Sequence, residues 1–422
     1  LAGCVVFFDD YANAMIVGPS MRPVTDRLKI SRAKLAYIVD STAAPVASIA
    51  LFGTWIGAEV GFIGEGLNAI VDRPAFLADM EPYSAFLGSL LFRFYAVLAL
   101  VMVFIIGVLG RDFGPMRKAE QAAADGSSDL ETSANDTESE PSTGRIWYAL
   151  VPIMTLIGAT ITVLFVTGLA EVNQMESIPS GADWLRAVLS KGESYDSILY
   201  GAMAAILVAA AIALFTRSLT LAKTVDSATD VMSRMLPTFI VLVLAWSLSQ
   251  AMQDLQLAQV SQTLLEEGGF QPVWLPALIF LAAAIVSFAT GTSWGTMGIL
   301  CPATVQIAAG LFADLPADQA LSLFYASVGA VLSGAIFGDH CSPISDTTVL
   351  SSLASECSLE QHVWTQMPYA LVVAVVAVLC GDTLCNRFGQ PWWIGMLAGA
   401  AALVLIVFIF GRKPRVTDAA PA

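Results

Sequence analysis

Eleven apolar runs occupy most of this chain, at 1–19, 35–63, 86–110, 146–169, 196–215, 235–252, 273–289, 296–312, 321–337, 363–381 and 392–411. A helix needs about 17–25 such residues to cross the hydrocarbon core of a bilayer. Lipid offers peptide groups no hydrogen-bonding partner, so spanning segments must satisfy their own backbone as helices. These runs therefore predict an all-α polytopic membrane protein of about eleven transmembrane segments, some broken or re-entrant. With 13% charged residues, the chain carries about half the charge of a soluble domain. It has no basic patch interleaved with aromatics, which argues against a nucleic-acid partner. Gly-Lys never occurs as a dipeptide, so the nucleotide-binding loop of an ATP-driven pump is missing. The net charge of −15 comes from acids gathered in loops and says little about partners. The six cysteines show no C-x-x-C spacing and are expected to be small apolar fillers. Leu1 opens the chain without a charged leader, and the first run is expected to begin inside a membrane segment.

Basic residues orient the runs. The connections after the first, third and fifth runs, together with the C-terminal tail, hold fifteen of the twenty Lys and Arg; the intervening connections hold four. By the positive-inside rule the 20–34 and 111–145 connections and the C-terminus face the cytoplasm. The 112–145 segment is acidic and low in complexity and is expected to be a disordered cytoplasmic loop. The expected organisation is a first repeat over 1–111, this loop, connecting scaffold helices over 146–253, a second repeat carrying the ion site over 273–411, and a cytoplasmic tail over 412–422.

Two clusters break the apolar pattern: Thr290-Gly291-Thr292-Ser293-Trp294-Gly295-Thr296 and Gly338-Asp339-His340-Cys341-Ser342-Pro343-Ile344-Ser345-Asp346-Thr347-Thr348. Irregular backbone at membrane depth is tolerated only where protein covers it or where it lines a cavity. Asp9, Asp10 and Asp40 also lie within apolar runs. A carboxylate at bilayer depth costs on the order of 2.5–3.5 kcal/mol, so five of them ask for a function. Na+ is a hard cation and favours oxygen ligands. The hydroxyls of Thr290, Thr292, Ser293, Thr296, Ser342, Ser345 and Thr347 can supply them, while Gly291, Gly295 and Pro343 open the helices so that carbonyls turn inward. With two histidines and no thiolate cluster, a transition metal is not expected. Burial disfavours the charged form of a carboxylate, and either a proton or Na+ can neutralise it. Competition of the two for one buried carboxylate suffices for antiport, with Asp339 as the first candidate and Asp10 the second.

Plainer roles compete residue by residue. A lone intramembrane Asp can cap a half-helix, and a membrane Ser or Thr often only packs or bonds its own backbone. His340 is read either as a pH sensor or as a hydrogen-bond partner of its neighbour. His362 is expected at the membrane interface, with Trp55, Trp392 and Trp393 as aromatic-belt anchors. Glu59 is a second carboxylate expected near the outer surface. Gln250, Gln253 and Asp254 either line a polar path or mark a helix end.

An internal repeat is visible. Phe7-Phe8-Asp9-Asp10-Tyr11 is similar to Ile336-Phe337-Gly338-Asp339-His340, and each is followed by a serine-started helix, at Ser31 or Ser358, that reaches Pro45 or Pro368. Such repeats point to transporter sites. Eight crossings separate the copies where an inverted repeat needs an odd number, so either an element is re-entrant, or the count is off, or the copies are parallel.

The two clusters, with Phe8-Asp9-Asp10-Tyr11 through Pro45, resemble the NhaC-type sodium/proton antiporter family of the ion transporter superfamily. The resemblance implies a bacterial inner-membrane protein with two inverted repeats and alternating access. It also implies an elevator-like motion against a scaffold that dimerises, with Na+ and H+ as the transported ions and no cofactor. Relatives carry small carboxylates or amino acids, so coupled transport or exchange of a small organic acid (malate- or lactate-like) or an amino acid is the alternative; Arg93 is its one candidate arginine clamp, and helix N-termini can bind carboxylates too. An intramembrane aspartyl protease using Asp10 and Asp339 fits the hydroxyl-rich setting poorly.

Overall fold

The computed structural model describes the chain apart from residues 1, 8, 52, 127–146 and 415–422 and parts of 175–191 and 256–266. The described residues are mostly helical, with no strand longer than a single bridge among them. In order the helices are α1 (Ala2–Val5), α2 (Asp10–Arg27), α3 (Arg32–Ile49), α4 (Thr54–Asn68), α5 (Pro82–Leu90), α6 (Phe94–Leu109), α7 (Gly114–Ala124) and α8 (Trp147–Val172). There follow α9 (Ser194–Phe215), α10 (Leu221–Asp254), α11 (Leu275–Thr290), α12 (Ser293–Leu311), α13 (Ala317–Cys341), α14 (Asp346–Ala354), α15 (Leu359–Val376) and α16 (Trp392–Phe410). Beyond Val376, α15 continues as a π-helical stretch over Ala377–Arg387.

Each of the eleven apolar runs falls on helix, but the span count differs. Among the described residues, six helices are long and apolar enough to cross a membrane, or eight if each of two bent pairs is one span. The difference has local causes. The run at 1–19 is divided between α1 and α2, and α2 carries Pro19, Pro23, Arg22, Asp26 and Arg27. The run at 35–63 is divided between α3 and α4. The run at 86–110 is bent by 41° between α5 and α6. The apolar part of α9, Leu199–Phe215, falls just short of a full span. These interruptions undo the simple crossing count on which the parity of the repeat rested.

The chain divides into two compact units. One holds Phe52–Gly57 and Ala134–Val243, where α8 and α9 pack along each other closely enough that a Cβ on Gly201 would lie 2.1 Å from Thr160 Oγ1. The other holds Leu1–Leu51, Ala58–Ser133 and Leu244–Ala422 and contains every candidate site residue. Its centre is α13, buried over most of its length, flanked by the equally buried α3. A Cβ on Gly338 would lie 2.3 Å from Ala284 O, so α13 and α11 meet backbone to backbone there; Ser287 Oγ adds a hydrogen bond to Ala335 O at 2.6 Å. Small residues at the contact, with a hydroxyl crossing it, are how helices associate where no hydrophobic drive exists.

Several sequence expectations are corrected. Residues 112–126 are not a disordered loop: Met116, Glu120 and Ala123 form the buried face of α7. Lys34 Nζ reaches Asp112 at 2.7 Å and Glu120 at 3.3 Å, and Asp112 pairs backbone to backbone with Arg412. The 127–146 part of that loop and the tail from 415 lie outside the described residues. Glu59 is fully buried rather than near a surface, and it binds Arg93 at 2.9 Å. Trp55 is buried and is no belt residue, whereas Trp392 and Trp393 are exposed, as an aromatic belt requires. Gln250 donates to Asp254 at 3.1 Å at the exposed end of α10, a helix-end role.

Candidate ion-binding site

The second repeat is built around a four-residue break. Pro343 disfavours helical geometry at the residue before it, and Ser342 is accordingly extended, at φ −83° and ψ 126°. Helix α13 therefore stops at Cys341. The chain resumes as α14 at Asp346, where Ser345 caps the new helix by accepting from Thr348 N at 3.3 Å; a serine at this position satisfies one of the orphan amides of a helix start.

Asp339, fully buried in the last turn of α13, faces the break. Its Oδ2 accepts from Thr347 Oγ1 at 2.5 Å. Thr347 Oγ1 also lies 3.1 Å from Ser345 Oγ. A threonine hydroxyl has one proton to give, so with Thr347 donating to Asp339 it is Ser345 that donates to Thr347. The hydroxyls form a directed relay ending on the carboxylate. Asp339 Oδ1 is buried and has no hydrogen-bond partner.

Asp346 stands in the first turn of α14. Its Oδ1 accepts from Thr347 N at 2.8 Å, and the Tyr11 hydroxyl of α2 donates to Oδ2. Asp9 caps α2, accepting from Ala12 N at 2.8 Å, and Asp10 is buried in the first turn. The first repeat thus has its own break between α1, which ends at Val5, and α2, which begins at Asp10. There Asn13 Nδ2 meets Gly3 O at 2.6 Å, Val6 O at 2.8 Å and, from α3, Thr42 O at 3.2 Å.

The local geometry recurs beyond the breaks. Helix α2 ends with Lys29 at φ 55° and Ile30 N donating to Thr25 O; α14 ends with Glu356 at φ 51° and Cys357 N donating to Ser352 O. Each turn leads after two residues to a capping serine, Ser31 or Ser358. This closure is the left-handed helix ending that glycine usually fills. Arg22 and Arg32 of the first turn both pair with Glu356 of the second. The structural partner of Asp10 is therefore Asp346, in the first turn of the following helix. It is not Asp339, as the string similarity suggested.

Asp40 lies on α3 behind the start of α14, fully buried and fully engaged. It accepts from Ser351 Oγ at 3.2 Å, Thr348 Oγ1 at 3.4 Å and Gln366 Nε2 at 2.5 Å, with His362 Nε2 at 3.5 Å. Gln366 Nε2 also donates to His340 O at 2.8 Å, and His340 Nδ1 lies 3.0 Å from the Tyr95 hydroxyl. His362, expected at the membrane interface, is instead completely enclosed. Asp40 is its acidic neighbour there.

The Thr290–Thr296 cluster closes the site from the other side. Gly291, at φ 68°, ends α11 in the left-handed region, and Thr292 caps α12. A Cβ on Gly291 would sit 2.8 Å from Ile344 O, so this turn lies directly on the α13–α14 break. Ser293 and Thr296 are buried, the latter donating to Thr292 O at 2.9 Å. Thr290 is exposed and bonds its own helix at Val286 O, and Pro343 is exposed; neither faces Asp339. Sequence reasoning missed Asn13, Tyr11, Gln366 and the enclosure of His362. The one signal open to it was their polarity within apolar runs.

An all-helical bundle with broken helices, and polar groups gathered at the breaks, is the build of a secondary membrane transporter. Residues 46–381 match the family described as the Na+/H+ antiporter family, and the chain belongs to it. A protein of Haemophilus influenzae with no assigned function is 32% identical over 97% of this chain and 74% of its own length. The malate-2H(+)/Na(+)-lactate antiporter of Bacillus subtilis is 38% identical over 33% of this chain and 32% of its own. The Na(+)/H(+) antiporter NhaC of Alkalihalophilus pseudofirmus is 29% identical over 34% of this chain and 33% of its own. The matches to these two antiporters thus span about a third of their length. No solved structure matches the chain. The family is one of transporters, not of enzymes.

Proposed function

We propose that this protein exchanges Na+ for H+ across the membrane, the two cations competing for Asp339. The observation that carries this is Asp339 Oδ1, an acceptor sealed from water and left unpaired beside an oxygen that already receives a hydrogen bond. An unsatisfied buried acceptor is costly, and a buried charge far more so. A proton on Oδ1 removes the charge; Na+ against Oδ1 balances it. The hydroxyls of Ser345 and Thr347 and the carbonyls freed at the break supply the remaining oxygen ligands suited to a hard cation. Among the described residues no three of His, Cys, Asp or Glu converge as a metal cluster, so the cation would rest on hydroxyl and carbonyl oxygen beside the carboxylate. Asp346, Asp9 and Asp40 take supporting roles, since Asp9 caps a helix, Asp346 receives Tyr11, and Asp40 already has its donors; Asp10, equally buried, is the second candidate for the exchanging carboxylate.

Arg93 supports the bare-ion reading. A clamp for an organic carboxylate needs a free guanidinium, and this one is bound to Glu59, Ser48 O and Ser89 Oγ. The name of the Bacillus subtilis relative favours the alternative, exchange of a small organic acid. The charge asymmetry of the connections supports an inner-membrane protein with its C-terminus in the cytoplasm.

Purified protein in liposomes is expected to collapse an imposed pH gradient when Na+ is added, and Asp339→Asn to abolish the effect. A gradient that ignores Na+ but falls on adding malate, lactate or an amino acid would replace this reading with the organic-solute one.

A further inference from the structure

A cleft of about 920 Å³ opens beside α7, remote in sequence from the breaks that carry the carboxylates. Arg117 and Lys118 of α7, Trp364 of α15, Phe410 of α16 and Phe113 all line it. Arg117 and Lys118 are exposed and form no ion pair among the described residues. Trp364 is 66% exposed and Phe410 65%.

The cleft is rigidly built. Phe113 stacks on Tyr369, with ring centroids 4.4 Å apart, and donates its backbone N–H to the Tyr369 hydroxyl at 3.2 Å. Tyr369 in turn donates to Asp112 at 3.0 Å. The buried face of α7 is tied to α3 through Glu120, which accepts from Ser31 N and Oγ and pairs with Lys34. Holding that face inward fixes Arg117 and Lys118 outward.

The cleft also sits at a definite level. It lies where α6 and α16 end, their exits joined by the Asp112–Arg412 pairing and by Arg111 stacked over Phe408, and where α15 begins. Exposed Trp beside basic side chains at the ends of spanning helices is the composition of the headgroup layer. Of the acids nearby, Asp112 and Glu120 are buried and paired with Lys34, and the cleft's own Asp125 is held by Gln121 Nε2 at 3.0 Å. Arg412 and Lys413 follow Phe410 after Gly411 and are exposed. The exposed basic side chains Arg117, Lys118, Arg412 and Lys413 outnumber the one exposed carboxylate of the cleft, Asp125, and the walls include an aromatic pair suited to the start of an acyl chain.

We propose that this cleft binds the headgroup of an anionic phospholipid, the phosphate held by Arg117 and Lys118 and the glycerol and first methylenes lying against Trp364 and Phe410. Basic pockets between membrane helices bind such headgroups, each basic side chain near the surface contributing about a fivefold gain in affinity. The site does not depend on which cation or solute the protein transports.

The test uses the full chain in detergent, with bound lipid counted by native mass spectrometry. Phosphatidylglycerol should bind more tightly than phosphatidylcholine. Arg117→Gln with Lys118→Gln should weaken phosphatidylglycerol about thirtyfold and leave phosphatidylcholine unchanged. Arg27→Gln with Lys29→Gln removes the same charge from exposed positions elsewhere and should leave both lipids unchanged. Equal loss in the two double variants would overturn the assignment, because the attraction would then be general to the surface. Equal binding of the two lipids would overturn it as well. So would displacement of phosphatidylglycerol by inorganic phosphate, which would make the occupant a soluble anion.

Discussion

Thr347 gives its hydroxyl proton to Asp339 Oδ2 across the break between α13 and α14, a contact of 2.5 Å between buried groups. One carboxylate oxygen is thereby fixed in place and the other left open. Thr347→Val keeps the shape and removes the donor, leaving both oxygens of Asp339 unsatisfied. A lost hydrogen bond of this kind costs about 1–3 kcal/mol. The variant is expected to melt lower and to need more Na+ for half-maximal exchange, while Thr347→Ser keeps both near the parent values. Fluorescence-monitored melting and a Na+ titration in liposomes read the two effects separately.

Asp40 offers a contrast within the same bundle. Both its oxygens already have donors, from Ser351, Thr348 and Gln366, so it has no open face for a cation. Asp40→Asn should lower stability, by about 1.5–3 kcal/mol for hydrogen bonds to a charged group, yet retain measurable exchange. If Asp40→Asn were as inactive as Asp339→Asn while melting normally, the division of labour between the two carboxylates would be wrong.

Arg93 sits in the bend between α5 and α6 and ties Glu59 of α4 to the carbonyl of Ser48 in α3. Arg93→Met strands a buried carboxylate, a change that costs about 3–5 kcal/mol. Adding Glu59→Met should restore most of the loss, since well-packed apolar pairs replace buried ion pairs at little cost. The melting temperatures of the two single variants and the double variant decide this.

Gly291 is required twice, by its φ of 68° and by its contact with Ile344. Gly291→Ala would strain the turn and press a methyl group on the backbone of the α13–α14 break. Exchange should fall sharply even where the protein still folds and inserts. Normal activity in Gly291→Ala would show that the two clusters do not work as one unit.

The breaks were legible in the sequence because their causes are local. Gly291 and Pro343 interrupt apolar runs, and Ser31 and Ser358 announce helix starts. The partners across the bundle were not legible. Tyr11 reaches Asp346 over 335 positions and Gln366 reaches Asp40 over 326, and no local pattern encodes a contact at that separation. His362 was misplaced for a related reason: its neighbour Trp364 marks an interface, but α15 turns Trp364 outward and His362 inward. The string similarity and the helix caps give the repeat different registers. Asp9-Asp10 matches Gly338-Asp339 as letters, whereas the backbone aligns Asp10 with Asp346.

The competition at Asp339 can be observed without transport. Na+ added to weakly buffered, detergent-solubilised protein should release protons, and the release should saturate together with Na+ binding. Asp339→Asn should show neither. Proton release that persists undiminished in Asp339→Asn, or Na+ binding to the unaltered protein with no release at any pH where it exchanges, would contradict the account.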